Sequence, residues 1–230
     1  MSKIKTIILV VSLALLAGCK TTTSEPTEYM NTTRSEGRPK AETAKINAQL
    51  GMAYLERKNV QRAKQKLLLA LEQGPDIPEP WYSMAYFLEA TGNKEEARSY
   101  YLKAVEIAPE RGDVQNNYGT FLCHSGEYKA SIKHFVAAAN APNYLEPASA
   151  YENAGQCSMK MGSYKRAATY FNKALLKDPA RTSTLLKLVE VDIKLGKYKA
   201  ARNRLVQFSL VSEPTPESKY LSELIAKKSG

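Results

Sequence analysis

Apolar residues in the middle of this chain recur with the period of an α-helix, in pairs of helix-length segments. In the first half of residues 78–111, four residues spaced i, i+3, i+4 and i+7 lie on one helical face: Trp81, Met84, Ala85 and Leu88. The second half has the same kind of spacing from Ala97 to Val105. Gly92 between the halves and Pro109 after them favour helix ends. The pattern predicts a helix, a short turn and a second helix.

This unit occurs five times, at nearly constant spacing. The copies are predicted at residues 44–77, 78–111, 112–147, 148–181 and 182–215, and the later four have turn glycines at Gly92, Gly126, Gly162 and Gly196. Two extra residues separate the third and fourth copies, and we place them by composition in a loop at residues 142–147. Lys58 occupies the turn position of the first copy, where glycine is usual, and Ser131 replaces a small alanine in the third.

The unit resembles the tetratricopeptide repeat. A single helix pair cannot bury its apolar face, so neighbouring pairs must stack and share one continuous core. We therefore predict an all-α fold for residues 43–215, a right-handed superhelical solenoid of antiparallel helix pairs. Residues 216–230 are predicted to form a C-terminal capping helix, with four residues on one side of it: Tyr220, Leu221, Leu224 and Ile225.

The N-terminal residues 1–18 have the features of a bacterial lipoprotein signal peptide. Lys3 and Lys5 precede an apolar run at residues 7–16, which is too short for a membrane-spanning helix. The run ends in Leu-Ala-Gly-Cys, which resembles the lipobox, so Cys19 is predicted to become the lipidated first residue of the mature chain. The alternative is an ordinary thiol near a cleavage site.

The residues after this cysteine bear on where the protein is located. Lys20 stands where many inner-membrane lipoproteins of Gram-negative bacteria have Asp, so we expect the periplasmic face of the outer membrane, with the protein held by its lipid anchor. Residues 19–42 include the lipidated N-terminus and a stretch rich in Thr, Ser and Glu. We predict a flexible linker there.

The chain is basic, with a formal net charge of +10, which becomes +8 when Lys3 and Lys5 are removed with the signal. In an exported lipoprotein this charge favours anionic lipid head groups, peptidoglycan or an acidic protein segment as partners, and nucleic acid is not expected. A solvated surface that keeps the protein soluble is the alternative.

Few residues offer chemistry beyond binding. Cys123 and Cys157 fall on the first helices of adjacent repeats, and they either form a disulfide between repeats 3 and 4 or stay as two buried thiols. Cys123 and His124 are neighbours on a helix, so their side chains point about 100° apart, unlike a nucleophile and its base. Zinc-ligand spacings and glycine-rich phosphate loops are absent from the sequence. We predict no enzyme, no metal, no small-molecule substrate and no cofactor besides the acyl lipid.

A partner-binding groove is predicted on the concave face. In tetratricopeptide repeats this face is lined by positions 2, 5, 9, 12 and 13 of each first helix, a correspondence taken from the family. In the first two repeats these positions are largely apolar and aromatic, which suits an amphipathic helix or an extended apolar peptide. The alternative is that part of the stripe packs against residues 42–47 or the linker. The predicted groove residues are Lys45, Ala48, Met52, Leu55, Tyr82, Tyr86, Asn116 and Thr120.

Three stretches make the resemblance more specific. Residues 46–71, 116–128 (NNYGTFLCHSGEY) and 151–175, taken with the lipobox, are similar to the type IV pilus biogenesis and stability lipoproteins. This resemblance covers residues 43 to about 222. It implies a pilotin, a lipoprotein that binds the type IV pilus secretin and promotes its localisation and multimerisation in the outer membrane. A general periplasmic repeat scaffold that recruits peptidoglycan enzymes is the alternative.

Overall fold

The structure is a computed structural model and describes residues 40–229, with side chains up to residue 228. The predicted signal peptide, Cys19 and most of the predicted linker lie outside these residues. The described part contains helices and no strand, so the predicted all-α fold is confirmed. The helices are α1 (Lys40–Glu56), α2 (Val60–Gln73), α3 (Pro78–Ala90), α4 (Lys94–Ile107), α5 (Gly112–His124), α6 (Tyr128–Asn140), α7 (Pro147–Lys160), α8 (Tyr164–Lys177), α9 (Thr182–Lys194), α10 (Tyr198–Ser209) and α11 (Pro216–Ser229).

Consecutive helices form hairpins, and each hairpin packs against the next. Helix α3 contacts both helices of the first hairpin, and α5 contacts both helices of the second. The four turn glycines have φ between 71° and 91°, the left-handed region in which a side chain is unfavourable. Lys58 takes the same conformation in the first hairpin, with φ of 60°. All five hairpin turns therefore have a residue in the left-handed conformation, and in the first hairpin this residue is a lysine instead of a glycine.

Apolar clusters are shared between successive hairpins, as stacking requires. Leu67 of α2, Tyr101 of α4 and Phe121 of α5 belong to one buried cluster, although they come from three repeats. The rings of Tyr101 and Phe121 are 5.0 Å apart between centroids. Ser131 is fully buried, and its hydroxyl donates a hydrogen bond to the carbonyl oxygen of Gly119 over 2.7 Å. The buried hydroxyl of Ser131, which replaces the usual alanine, is thus hydrogen-bonded to the backbone of the neighbouring helix.

The two extra residues lie in the connection between α6 and α7. This connection covers residues 141–146, so Pro147, predicted as loop, is in fact the first residue of α7. Proline suits that position because the N–H groups of the first helical turn have no acceptor within the helix, so the N–H that proline lacks is not missed there. Tyr144 of the connection packs on Gly112, where an added Cβ would lie 2.4 Å from the Tyr144 Cγ.

Both ends of the repeat array differ from the prediction. Helix α1 begins at Lys40, inside the predicted linker of residues 19–42, because Lys, Ala and Glu at its start are good helix formers. In α11, Leu221 and Ile225 are buried, but Tyr220 is 62% exposed. The side of α11 that packs on the core has Leu221, Leu224 and Ile225, and Tyr220 lies outside it. None of the helices within residues 40–229 is long and apolar enough to span a membrane.

Candidate functional site

The first helices of repeats 1 and 2 enclose a groove of about 450 Å³, which we call the α1–α3 groove. Four of the predicted groove residues line it, three from α1 and one from α3: Lys45, Ala48, Met52 and Tyr82. The other lining residues are Gln49, Ala53, Glu56, Glu79 and Ser83. Positions 6 and 10 of the repeat therefore contribute, which the family correspondence did not include. The groove combines an apolar stretch with charged residues.

The other four predicted residues lie elsewhere. Leu55 is half-buried, packs against the buried core cluster and is not among the residues that line the groove. Tyr86 is 47% exposed, one helical turn after Tyr82 on α3, and does not line the groove. Asn116 and Thr120 belong to the polar surface of α5. There Asn153 of α7 donates a hydrogen bond to Asn116 Oδ1 over 3.0 Å, and the Thr120 hydroxyl donates to the Asn116 carbonyl oxygen over 3.0 Å.

Glu79 is the electrostatic centre of the α1–α3 groove. Its Oε1 atom lies 3.4 Å from Lys45 Nζ and accepts a hydrogen bond from Arg111 Nη1 over 2.9 Å. Arg111 also holds Asp113 with two hydrogen bonds, of 3.0 Å and 2.5 Å. The carboxylates and Arg111 thus tie the first helices of repeats 2 and 3 together. Hydrogen bonding to Asp113 is the main reason that the pKa of Arg111 is raised, so it stays charged.

One polar atom of this groove lacks a partner, and a second polar group is held protonated. Glu79 Oε2 is buried and has no hydrogen-bond partner among residues 40–228. Burial, followed by the charges of Asp113 and Glu79, raises the pKa of the Tyr82 hydroxyl, which therefore remains protonated. An unpaired buried acceptor is costly and is relieved by an incoming N–H or O–H donor. The groove can accordingly take an apolar side chain and a hydrogen-bond donor from the same partner.

The residues weighed for catalysis have structural partners. The structure joins Cys123 of α5 and Cys157 of α7 by a disulfide, with Cα atoms 5.9 Å apart. His124 faces α3 instead, and its Nδ1 atom lies 2.9 Å from Glu89 Oε1. Tyr101 donates a hydrogen bond to the other oxygen of Glu89 over 3.3 Å. Among the described residues, no group of three or more His, Cys, Asp or Glu side chains is placed to hold a metal ion.

A second buried carboxylate links repeats 4 and 5. Glu152 of α7 accepts hydrogen bonds from Arg181 Nε over 2.9 Å and from the Thr184 hydroxyl over 2.7 Å. It is 9% exposed, so the partners compensate for the loss of water around its charge. This interaction holds two neighbouring hairpins in register. The sequence offered no signal for it beyond residue type, because the partners are 29 and 32 residues away.

Known proteins that are similar to this chain include repeat proteins of the type IV pilus. Tetratricopeptide repeat family models match residues 78–111 and 158–221. The type IV pilus assembly protein PilF of Pseudomonas aeruginosa is 30% identical over 167 residues, which cover 73% of this chain and 66% of PilF. The chain belongs to the PilF and PilW family of tetratricopeptide-repeat proteins. The aligned part is just under two thirds of the length of PilF.

Solved structures of the PilF and PilW family share this fold. The structure of Pseudomonas aeruginosa PilF matches with a TM-score of 0.72 and 27% identity, over 83% of this chain and 86% of that one. The structure of PilW, described as a widely conserved type IV pilus biogenesis factor, matches with a TM-score of 0.71 and 26% identity, over 81% and 86%. The predicted solenoid of tetratricopeptide repeats and the predicted family are both confirmed.

Proposed function

We propose that this protein acts in type IV pilus biogenesis as a pilotin, an outer-membrane lipoprotein that binds the pilus secretin and promotes its multimerisation. The observation that carries the proposal is the relation to PilF and PilW over most of the solenoid. Tetratricopeptide repeats bind other proteins through the surfaces of stacked helices. The α1–α3 groove is the surface that we assign to the secretin segment.

The groove suits an amphipathic segment of a secretin subunit. Met52 adapts its shape to an apolar side chain, and Tyr82 adds a ring with a polar end. A donor on the same segment would pair with Glu79 Oε2, which has no partner within the described chain. A volume of about 450 Å³ accommodates a few side chains rather than a folded domain. Binding would thus shield part of a membrane-seeking segment before the secretin assembles.

The lipid at Cys19 supplies the second part of the mechanism. Acyl chains contribute roughly 0.8 kcal/mol per buried CH₂ group, so a multiply acylated cysteine would hold the protein stably at the membrane. A secretin subunit bound in the α1–α3 groove would then be delivered where it inserts. This role predicts that the groove and the cysteine are both required, for different reasons.

The test uses a deletion strain complemented with variants, in which secretin is followed by membrane fractionation and semi-native gel electrophoresis. Met52→Glu places a charge in the groove and should weaken secretin binding by at least about tenfold, with a matching loss of multimers. Leu68→Glu is the matched control, because Leu68 is 50% exposed on α2, away from the groove. Circular dichroism of each purified variant verifies that it is folded.

The Cys19→Ser variant is tested separately. It should still bind secretin in solution, but the multimers should be lost from the outer membrane. Normal multimers with folded Met52→Glu protein would remove the groove from the mechanism. Intact secretin rings in the deletion strain, together with altered cell shape or lysis, would refute the pilotin role and support a scaffold for peptidoglycan enzymes.

A further inference from the structure

The second helices of repeats 3, 4 and 5 carry no acidic residue. Helices α6, α8 and α10 contain lysine and arginine as their only fully charged side chains, whereas α4 contains Glu95, Glu96 and Glu106. The exposed cations of α6, α8 and α10 form what we call the basic face. Its residues are Lys129, Lys133, Lys165, Arg166, Lys173, Lys177, Lys199 and Arg202.

Some of these cations lie in the first turn of their helix, where a positive charge is unfavourable for helix stability. The N-terminal end of a helix carries partial positive charge, so acidic residues are favourable there and basic residues are not. Helix α4 follows this rule with Glu95 and Glu96 in its first turn. Helices α6, α8 and α10 have no acidic residue in their first turn and instead place Lys129, Lys165 and Lys199 there. At α8 and α10 the side-chain charges and the helix ends therefore add to one positive field, whereas at α6 the N-cap residue Glu127, which pairs with Arg98, offsets part of it.

A groove between α6 and α8 lies within the basic face. It has a volume of about 400 Å³ and is lined by three cations and three apolar or aromatic side chains: Lys129, Lys133, Arg166, Ile132, Val136 and Tyr170. None of the three cations has a carboxylate at ion-pair distance within residues 40–228. Ile132 is almost fully buried and forms part of an apolar floor. The groove therefore matches a ligand that is both anionic and apolar.

Large apolar side chains are exposed farther along the same helices. Leu176 near the end of α8 is 82% exposed, and Val206 of α10 is 59% exposed. Side chains of this kind in the neighbourhood of lysines are the usual composition of a surface that lies at a membrane interface.

We propose that the basic face binds the surface of an anionic phospholipid bilayer. Lipid phosphates would pair with Lys129, Lys133 and Arg166, while Leu176 and Val206 enter the interface. A nucleic acid or a uniformly acidic peptide would engage the cations but leave the exposed aliphatic side chains in water. The basic face is built from second helices and the α1–α3 groove from first helices, so occupation of one does not block the other. The proposal concerns residues 128–209 alone and does not rest on the proposed function.

Vesicle co-sedimentation tests this proposal with the chain from residue 20 onwards, so that neither the predicted signal peptide nor an acyl chain contributes. Vesicles of phosphatidylcholine are compared with vesicles in which one lipid in four is phosphatidylglycerol. The basic-face variant combines Lys129→Gln, Lys133→Gln and Arg166→Gln. The control combines Lys64→Gln, Lys66→Gln and Lys94→Gln on the second helices of repeats 1 and 2, which removes the same net charge.

We expect tighter binding to the anionic vesicles, weakened by salt and reduced at least about tenfold in the basic-face variant. The control variant should bind within about twofold of the parent chain, since its lysines lie outside the basic face. Equal binding to both vesicle types, or equal losses in both variants, would overturn the proposal. Binding to double-stranded DNA or polyglutamate as tight as to anionic vesicles, and lost in the basic-face variant, would overturn it in favour of a general polyanion site. Thermal unfolding of both variants verifies that they are folded.

Discussion

A Cβ atom added to Gly155 would lie 2.6 Å from Cε1 of Phe171, closer than such atoms approach in folded proteins. Gly155 is at position 8 of its repeat and Phe171 at position 24. Gly119 has the same relation to Phe135, at 3.0 Å. The two helices of these hairpins can approach this closely only because the first helix has no side chain at that point. Helix spacing within a repeat is therefore controlled by one residue pair.

Gly155→Ala should lower the free energy of unfolding by about 1–3 kcal/mol, because Phe171 is fully buried and cannot move aside without strain. Urea unfolding followed by circular dichroism measures the change. Lys160→Ala, at an exposed site on the same helix, should stay within about 0.5 kcal/mol of the parent protein. An unchanged midpoint for Gly155→Ala would show that the hairpin accommodates the methyl group.

Lys58→Gly should stabilise the protein by about 1 kcal/mol. Lys58 has a φ of 60°, and a side chain in this left-handed region is unfavourable by roughly that amount. The reverse change at an equivalent turn, Gly162→Ala, should cost a similar amount, because its φ is 76° and no atom lies within 4 Å of the added Cβ. Thermal and urea unfolding of both variants provide the measurement. Destabilisation by Lys58→Gly would mean that the lysine side chain makes a stabilising contact.

Loss of the disulfide should lower the free energy of unfolding by about 3–4 kcal/mol. The bond between Cys123 and Cys157 closes a loop with a sequence separation of 34 and so restricts the unfolded chain. The double variant Cys123→Ser/Cys157→Ser is compared with the oxidised parent, and both are measured again under reducing conditions, where the difference should shrink. Mass spectrometry after alkylation, with and without prior reduction, identifies the bond directly. Alkylation of both thiols without reduction would contradict this pairing.

Acidification should destabilise the protein through His134. Its ring is 4.8 Å from the ring of Tyr118 and its Nδ1 atom is 2.6 Å from Gln115 Oε1. Burial lowers the pKa of His134 below the ordinary value of 6.5. The unfolded chain therefore takes up the proton first, so stability is retained above that value and falls as the pH drops through it towards the lower folded pKa.

This pH effect is measured by urea unfolding at about pH 8 and about pH 5, on either side of the ordinary histidine range. The parent protein should lose more unfolding free energy between the two values than His134→Gln does. Lys133→Gln, which changes the exposed neighbour, should behave like the parent. Equal losses in the parent and His134→Gln would assign the pH dependence to other groups.

Much of the fold could be predicted from local pattern alone. The turn position of Gly92 marks a hairpin turn, and the structure has a positive φ there. The apolar spacing from Trp81 to Leu88 predicts one helical face, and α3 spans these residues. The differences from the prediction concern where a helix begins and which side chains of a helix are buried. Helix α1 starts before the predicted repeat, and Tyr220 is exposed, because the extent of a helix and the burial of one side chain depend on what packs against it.

The structure brings together only part of the predicted groove residues. Lys45, Met52 and Tyr82 line one groove, whereas Leu55 is half-buried and packs against the core. Gln49 also lines the groove, at a repeat position that the family correspondence does not include. A correspondence by repeat position assumes an average rotation, and each pair of hairpins departs from it according to its own core side chains.

The sequence by itself determined the helix pairs, their turns and their stacking into one solenoid, because helical periodicity and left-handed turn positions are local properties. Only the tertiary structure decided which side chains of separate hairpins meet. Arg111 reaches Glu79 from 32 residues away, and Cys123 meets Cys157 across two hairpins. These contacts depend on the angle and register between hairpins, which result from the packing of the whole core and are not encoded in any single repeat.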